Sequence, residues 1–189
     1  MFIASQKRKE NIAEYLLYMW QVEDIIRANN LDIETIKTNW IDRFNLEKAE
    51  RNKMIEWYES LIDMMRSENV IQSGHLQINR NIISELVRLH QTLLNDNRYA
   101  TYSAEFYKTL PFIVELRAKA GDNPVGELET CFNALYGMLL MRIQSKEITS
   151  DTQRALQQIS TFISILAAYF KLDDEDKLFN NDENTENPC

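Results

Sequence analysis

The scarcest residues constrain this chain most. Its 189 residues include four Gly and three Pro, where average usage would supply roughly 13 and 9. Gly provides positive φ at tight turns, and Pro interrupts hydrogen-bonded ladders. A chain poor in both is therefore built of long helices with few sharp turns. The apolar fraction of 44% is enough for an ordered core. A chain of this size buries roughly 70% of its unfolded surface without needing disulfides or metals.

Helical periodicity then divides the chain. Ile12, Tyr15, Leu16, Met19, Val22 and Ile26 recur at helical spacing and predict a first helix over about residues 6–28. Leu17, Tyr18 and Ile25 widen its apolar surface, which suggests cover on more than one side. Asp32 can cap a short second helix through Ile41. Asn45 can cap a third that reaches Gln72, with Gly74 as its C′ residue. A fourth runs to about Leu94.

Ser103 can cap a fifth helix bearing Phe106, Leu110, Ile113 and Val114, in which Pro111 predicts a kink or a split near Lys108. Gly121-Asp122-Asn123-Pro124 is the strongest stop-and-start and opens a sixth helix to about Gln144. Ser150-Asp151-Thr152-Gln153 reads as the capping box of a seventh. No strand-like alternation and no repeat of solenoid length occurs. The expected fold is all-α: a single-domain antiparallel bundle of six or seven helices over residues 1–171, then a disordered acidic tail over residues 172–189.

Charge excludes some functions. The net charge is −8, of which −6 lies in residues 172–189, so the body is nearly neutral. A neutral body with an acidic tail is a poor ligand for a phosphate backbone, and no nucleic-acid partner is expected. No uncharged apolar run is long enough to span a membrane. Cys131 lies in a helical run and Cys189 is the last residue. Two such cysteines are no disulfide framework and point to a reducing cytoplasm.

Chemistry is sparse. Only His75 and His90 are present, no Glu-x-x-His occurs, and the cysteines have no partner at ligand spacing. There is no glycine-rich phosphate loop and no nucleophile elbow. Neither a metal nor another cofactor is expected, and no catalytic residue is singled out.

What remains is polar residues on apolar stripes, which need partners if buried. Glu23 lies beside Leu16 and Met19. It can pair with Arg27 one turn on, or reach an arginine across the bundle. His90 lies between Ile83 and Leu86 on its wheel. It reads as a satisfied core histidine or as a ligand and proton-transfer group. Arg117 and Arg142 share arcs with apolar residues in last turns, where the helix dipole favours a cation. Alternatively, either arginine points into a cleft and holds an anion.

The opening stretch from Met1-Phe2-Ile3-Ala4 through Lys7-Arg8-Lys9-Glu10 to Gln21-Val22-Glu23-Asp24 carries a resemblance, as does Ser73-Gly74-His75-Leu76-Gln77. Together they resemble an uncharacterised family of short all-helical proteins from Bacteroidota, a domain of unknown function. The resemblance covers residues 1–171. It implies a bacterial cytoplasmic protein and transfers no catalytic residues.

Two functions follow as expectations. The first is a non-enzymatic interaction or scaffold protein, a homodimer or partner-binding module acting through the apolar excess of its first and third helices. The alternative is a small anionic-ligand binding protein or enzyme, in which Glu23, His90, Arg117 and Arg142 converge on a polar cleft.

Overall fold

A computed structural model describes residues 2–119, 125–175 and 178. Among them the fold is all-α. The helices are α1 (Phe2–Glu10), α2 (Ile12–Ala28), α3 (Ile33–Asn39), α4 (Lys48–Ser67), α5 (Gln77–Leu94), α6 (Ala100–Lys119), α7 (Glu127–Ile143) and α8 (Ser150–Asp174). Short 3-10 turns at Ile41–Arg43 and Asn97–Tyr99 complete the order, and no strand occurs among the described residues.

The helix ends show how a chain with few glycines stops its helices. After α2, the Leu31 N–H donates to the Ile26 carbonyl and the Asn30 N–H to that of Arg27, with Asn30 at φ 54°. After α4, Val70 donates to Met65 and Asn69 to Arg66, with Asn69 at φ 57°. After α7, Lys146 donates to Met141 and Ser145 to Arg142, with Ser145 at φ 53°. Each is a Schellman motif, and each puts Asn or Ser in the left-handed position that glycine usually takes. At the first two, the flanking apolar pair (Ile26 with Leu31, Met65 with Val70) is buried.

Several expected boundaries change for physical reasons. The first helix is two, because the Asn11 side chain accepts the Ala13 N–H and restarts the chain as α2. Asp32 caps α3 by accepting from the Thr35 N–H. Asn45 caps nothing: α4 starts at Lys48, and Leu46 is exposed. The end of α4 is set at Asn69, so Gly74, at φ 86°, belongs to the following loop.

Ser103 lies inside α6, which is preceded by a 3-10 turn capped by Asp96. Pro111 does not split α6. Pro111 and Tyr107 are both exposed, so water can reach the turn in which the Tyr107 carbonyl loses its donor. Thr149, not Ser150, caps α8 by accepting the Thr152 N–H. The same helix runs to Asp174, three residues into the expected tail. Gly121-Asp122-Asn123-Pro124 and, apart from Glu175 and Leu178, the rest of the tail lie outside the described residues.

Contacts gather the chain into two compact units. One comprises Met1–Lys9 with Glu14–Ile82, the other Glu10–Ala13 with Ile83–Cys189. The core of the first draws on Leu16, Met19 and Ile26 of α2, Ile36 of α3, and Tyr58 and Met65 of α4, all fully buried. In the second, α6, α7 and α8 pack pairwise. There the Phe162 ring lies 5.6 Å from Phe106 and 5.7 Å from Tyr102, and the His90 ring lies 4.7 Å from Phe106 and 5.8 Å from Phe162. Each unit is thus a small helical core with its own aromatic centre or apolar stripe.

Ser145 is exposed, so its backbone strain is separable from packing. Ser145→Gly is expected to raise stability by about 0.5–1 kcal/mol and Ser145→Val to lower it, as read from paired thermal or denaturant melts.

Candidate functional site

The strongest polar constellation lies in the first unit and is built around Glu23. Its position on the apolar stripe of α2, beside Met19 and Ile26, drives it into the core, where it is 0% exposed. An isolated carboxylate there would cost several kcal/mol. Three donors offset that cost. His75 Nδ1 lies 2.6 Å from Oε2, while Oε1 accepts from the Leu76 N–H at 2.9 Å and from Asn79 Nδ2 at 2.7 Å.

The donors come from one short stretch, the start of α5 and the two residues before it. This explains a feature of α5: its first turn contains no acidic residue of its own. Glu23 supplies the missing negative charge from α2. Glu68, at the end of α4, supplies more by accepting the Gln77 N–H at 2.6 Å. Anionic groups at a helix N-terminus satisfy free N–H donors and complement the dipole.

Arg27 completes the arrangement one turn along α2. It does not pair with Glu23. Its guanidinium bonds Asp24 at 3.0 Å, the Val70 carbonyl at 3.2 Å and the Gly74 carbonyl. The loop between α4 and α5 is therefore held at both ends by charged groups of one helix. Trp20, also on α2, stacks on the His75 ring at 4.1 Å and 12°. Because Nδ1 donates to the carboxylate, Nε2 is the ring nitrogen left for other partners, and the His75 side chain is 26% exposed.

A carboxylate that orients an imidazole is an element of acid–base machinery. Here both carboxylate oxygens are also spent on tethering α5, which makes the unit a structural clamp first. Asn79 Oδ1 is buried without a hydrogen-bond partner among the described residues.

A family model described as Domain of unknown function (DUF4924) matches residues 1–177. The chain belongs to this family. No curated protein and no solved structure matches it.

The other candidate residues lie in the second unit. His90 is 5% exposed, its Nδ1 2.5 Å from the Tyr102 hydroxyl, with the Phe106 ring centroid at 4.7 Å. Burial pushes its pKa down to about 4, and burial raises that of Tyr102. A neutral imidazole thus faces a protonated phenol, which is a satisfied core pair. Arg117 is half-buried near the end of α6, with Nε lacking a partner among the described residues. Arg142 is exposed in the last turn of α7.

No hydrogen bond or ion pair among the described residues joins His90, Arg117 and Arg142. Burial likewise pushes the Cys131 thiol up to about 12, which removes it as a nucleophile at neutral pH. No group of three or more His, Cys, Asp or Glu among the described residues could hold a metal ion. No helix among them is long and apolar enough to cross a membrane.

A cleft of about 570 Å³ runs between the end of α6 and the start of α8, with Glu115, Lys119, Asp151 and Arg154 at its walls. Its cations are already paired, Lys119 with Glu115 at 2.7 Å and Arg154 with Asp151 at 2.5 Å. Each cation on its walls thus has an acid beside it, and the cleft is balanced in charge.

Sequence reasoning flagged Glu23 as a residue in need of a partner but missed the partner itself. The available signal was the pairing of that need with one of only two histidines, placed at the Gly74 joint.

Two measurements check the site. Glu23→Ala strands the Leu76, Asn79 and His75 donors and is expected to cost about 3–5 kcal/mol. Glu23→Gln keeps an acceptor for Leu76 and Asn79 and should cost less, both read by denaturant melts. For His90 the folded pKa, about 4, lies below the ordinary 6.5. The unfolded chain then binds the proton first, so stability is full above about pH 6.5 and is lost progressively down to pH 4, by roughly 3 kcal/mol. His90→Phe should flatten that part of the stability–pH curve relative to the unmodified chain.

Proposed function

We propose that this chain is a non-enzymatic, cytoplasmic helical interaction protein that works through a helix face. The observation that carries this reading is an exposed apolar stripe on α6. Tyr107 is 63% exposed and Val114 57%, with exposed Pro111 between them. Large apolar side chains left in water on consecutive turns of a helix mark contact surfaces when they are contiguous. The face is not where the apolar excess of the sequence lies. On α2, Tyr15, Leu16, Met19, Trp20, Val22 and Ile26 are all buried, and on α4 Met54, Tyr58, Leu61, Ile62 and Met65 are as well.

The polar residues support the same reading from the opposite side. Glu23 is committed to three structural donors, and His90 is a neutral core group.

Photo-crosslinking tests it. With p-benzoylphenylalanine in place of Tyr107, irradiation of the protein in its native cells should give covalent protein adducts. The same group in place of Glu56, exposed on α4, should give none. Absence of any adduct at position 107 would defeat the reading.

A further inference from the structure

We propose that the outer face of α6 is a self-association surface, and that its occupant is the same face of a second copy of this chain running antiparallel. The proposal rests on the interaction reading above and names its partner.

The face is a narrow seam. Ala104, Tyr107, Pro111, Val114 and Ala118 are all exposed, and their spacing of three, four, three and four residues is that of a coiled-coil stripe. At ~100° per residue these five positions fall within an arc of roughly 80°. The buried residues of the same helix, Tyr102, Phe106, Thr109 and Ile113, lie on the opposite side. So α6 carries two apolar faces, and among the described residues only one of them is buried.

Symmetry and charge select a second copy as the occupant. A two-fold axis beside Pro111 places Ala104 of one copy against Ala118 of the other, and Tyr107 against Val114. Small residues then meet at the two ends and large ones meet near the centre. The flanking charges agree with this arrangement. Lys108 and Glu115 are exposed, one heptad apart, on the same edge of the seam. Antiparallel pairing about Pro111 sets Lys108 beside Glu115 of the second copy, and does so twice. In a parallel pair the edge bearing Lys108 and Glu115 would face the opposite edge of the second copy, and these charges would not meet. Among the described residues these groups bond within α6, Lys108 to Glu105 at 3.2 Å and Glu115 to Lys119 at 2.7 Å. Lys108 and Glu115 are themselves exposed, and ion pairs of such groups are weak and exchange partners at little cost.

The closing experiment uses charge reversal on the full chain in reducing buffer, so that Cys189 forms no cross-link. Sedimentation equilibrium of the unmodified protein should show a concentration-dependent dimer. Lys108→Glu and Glu115→Lys should each weaken it on the order of tenfold, because each puts like charges together at both ends. Both sites are exposed, so helicity and melting should hold. An equimolar mixture of the two variants should restore association as a heterodimer, since one copy then brings two acids to the edge and the other two bases. Val114→Glu should abolish association with or without mixing.

Three results would overturn the proposal: a monomer at every concentration, reversal variants that associate like the unmodified chain, or a mixture that fails to recover. The Tyr107 cross-link separates this from failure of the interaction reading. An adduct of twice the chain mass supports self-association. An adduct with a different protein leaves the interaction reading standing and removes this one.

Discussion

The Glu23 carboxylate is the constraint on which the first unit depends. A charge with no solvent exposure is tolerable only where donors converge on it. Its donors are a ring nitrogen, a backbone N–H and a side-chain amide within residues 75–79. Satisfying one side chain of α2 therefore fixes where α5 begins and how the preceding loop approaches. Arg27 applies the same logic from the other side by donating to loop carbonyls that would otherwise face a partly dry surface. The apolar stripes supply most of the driving force for assembly. Glu23 and Arg27, each with its own partners, supply register, since apolar contacts tolerate sliding and a three-donor carboxylate site does not.

Helix existence was legible in the sequence because the 3.6-residue period survives in every long run. Helix ends were less so. A reading that waits for glycine to end a helix misses Asn69 and Ser145, because the left-handed conformation at those positions carries no signal beyond an ordinary polar residue. Asn11 broke a helix for a similar reason: its side chain competes locally with the backbone, and no change in periodicity announces it. Pro111 misled in the opposite direction. A proline on the wet side of a helix loses one hydrogen bond that water can replace, so α6 continues through it.

The candidate site shows where periodicity runs out. A wheel places Glu23 on the buried side but cannot say which segment lies opposite. Its true partners sit 52 to 56 residues away, at the start of a helix. Arg117 and Arg142 were drawn toward the same site only by their wheel positions. In the folded chain one is half-buried near the end of α6 and the other is exposed at the end of α7. The neutral His90–Tyr102 pair was readable in kind, since a histidine on a strongly apolar arc is usually desolvated, but its hydroxyl partner twelve residues away was not.

These placements bear on function together. In a catalytic site, titratable groups are partly open to a ligand, while apolar groups form the walls around them. In this chain Glu23 is turned inward and committed to its donors, His75 is partly open at Nε2, and Tyr107 and Val114 are turned outward with nothing among the described residues against them. Pro111 fits the same logic. Placing proline in the middle of a helix weakens the helix, because it removes the donor to the Tyr107 carbonyl. On a surface that meets another helix, the ring shortens the reach of the seam at its midpoint and lets two backbones approach closely where a longer side chain would hold them apart. The residue that is least useful to α6 on its own lies at the centre of the face it presents.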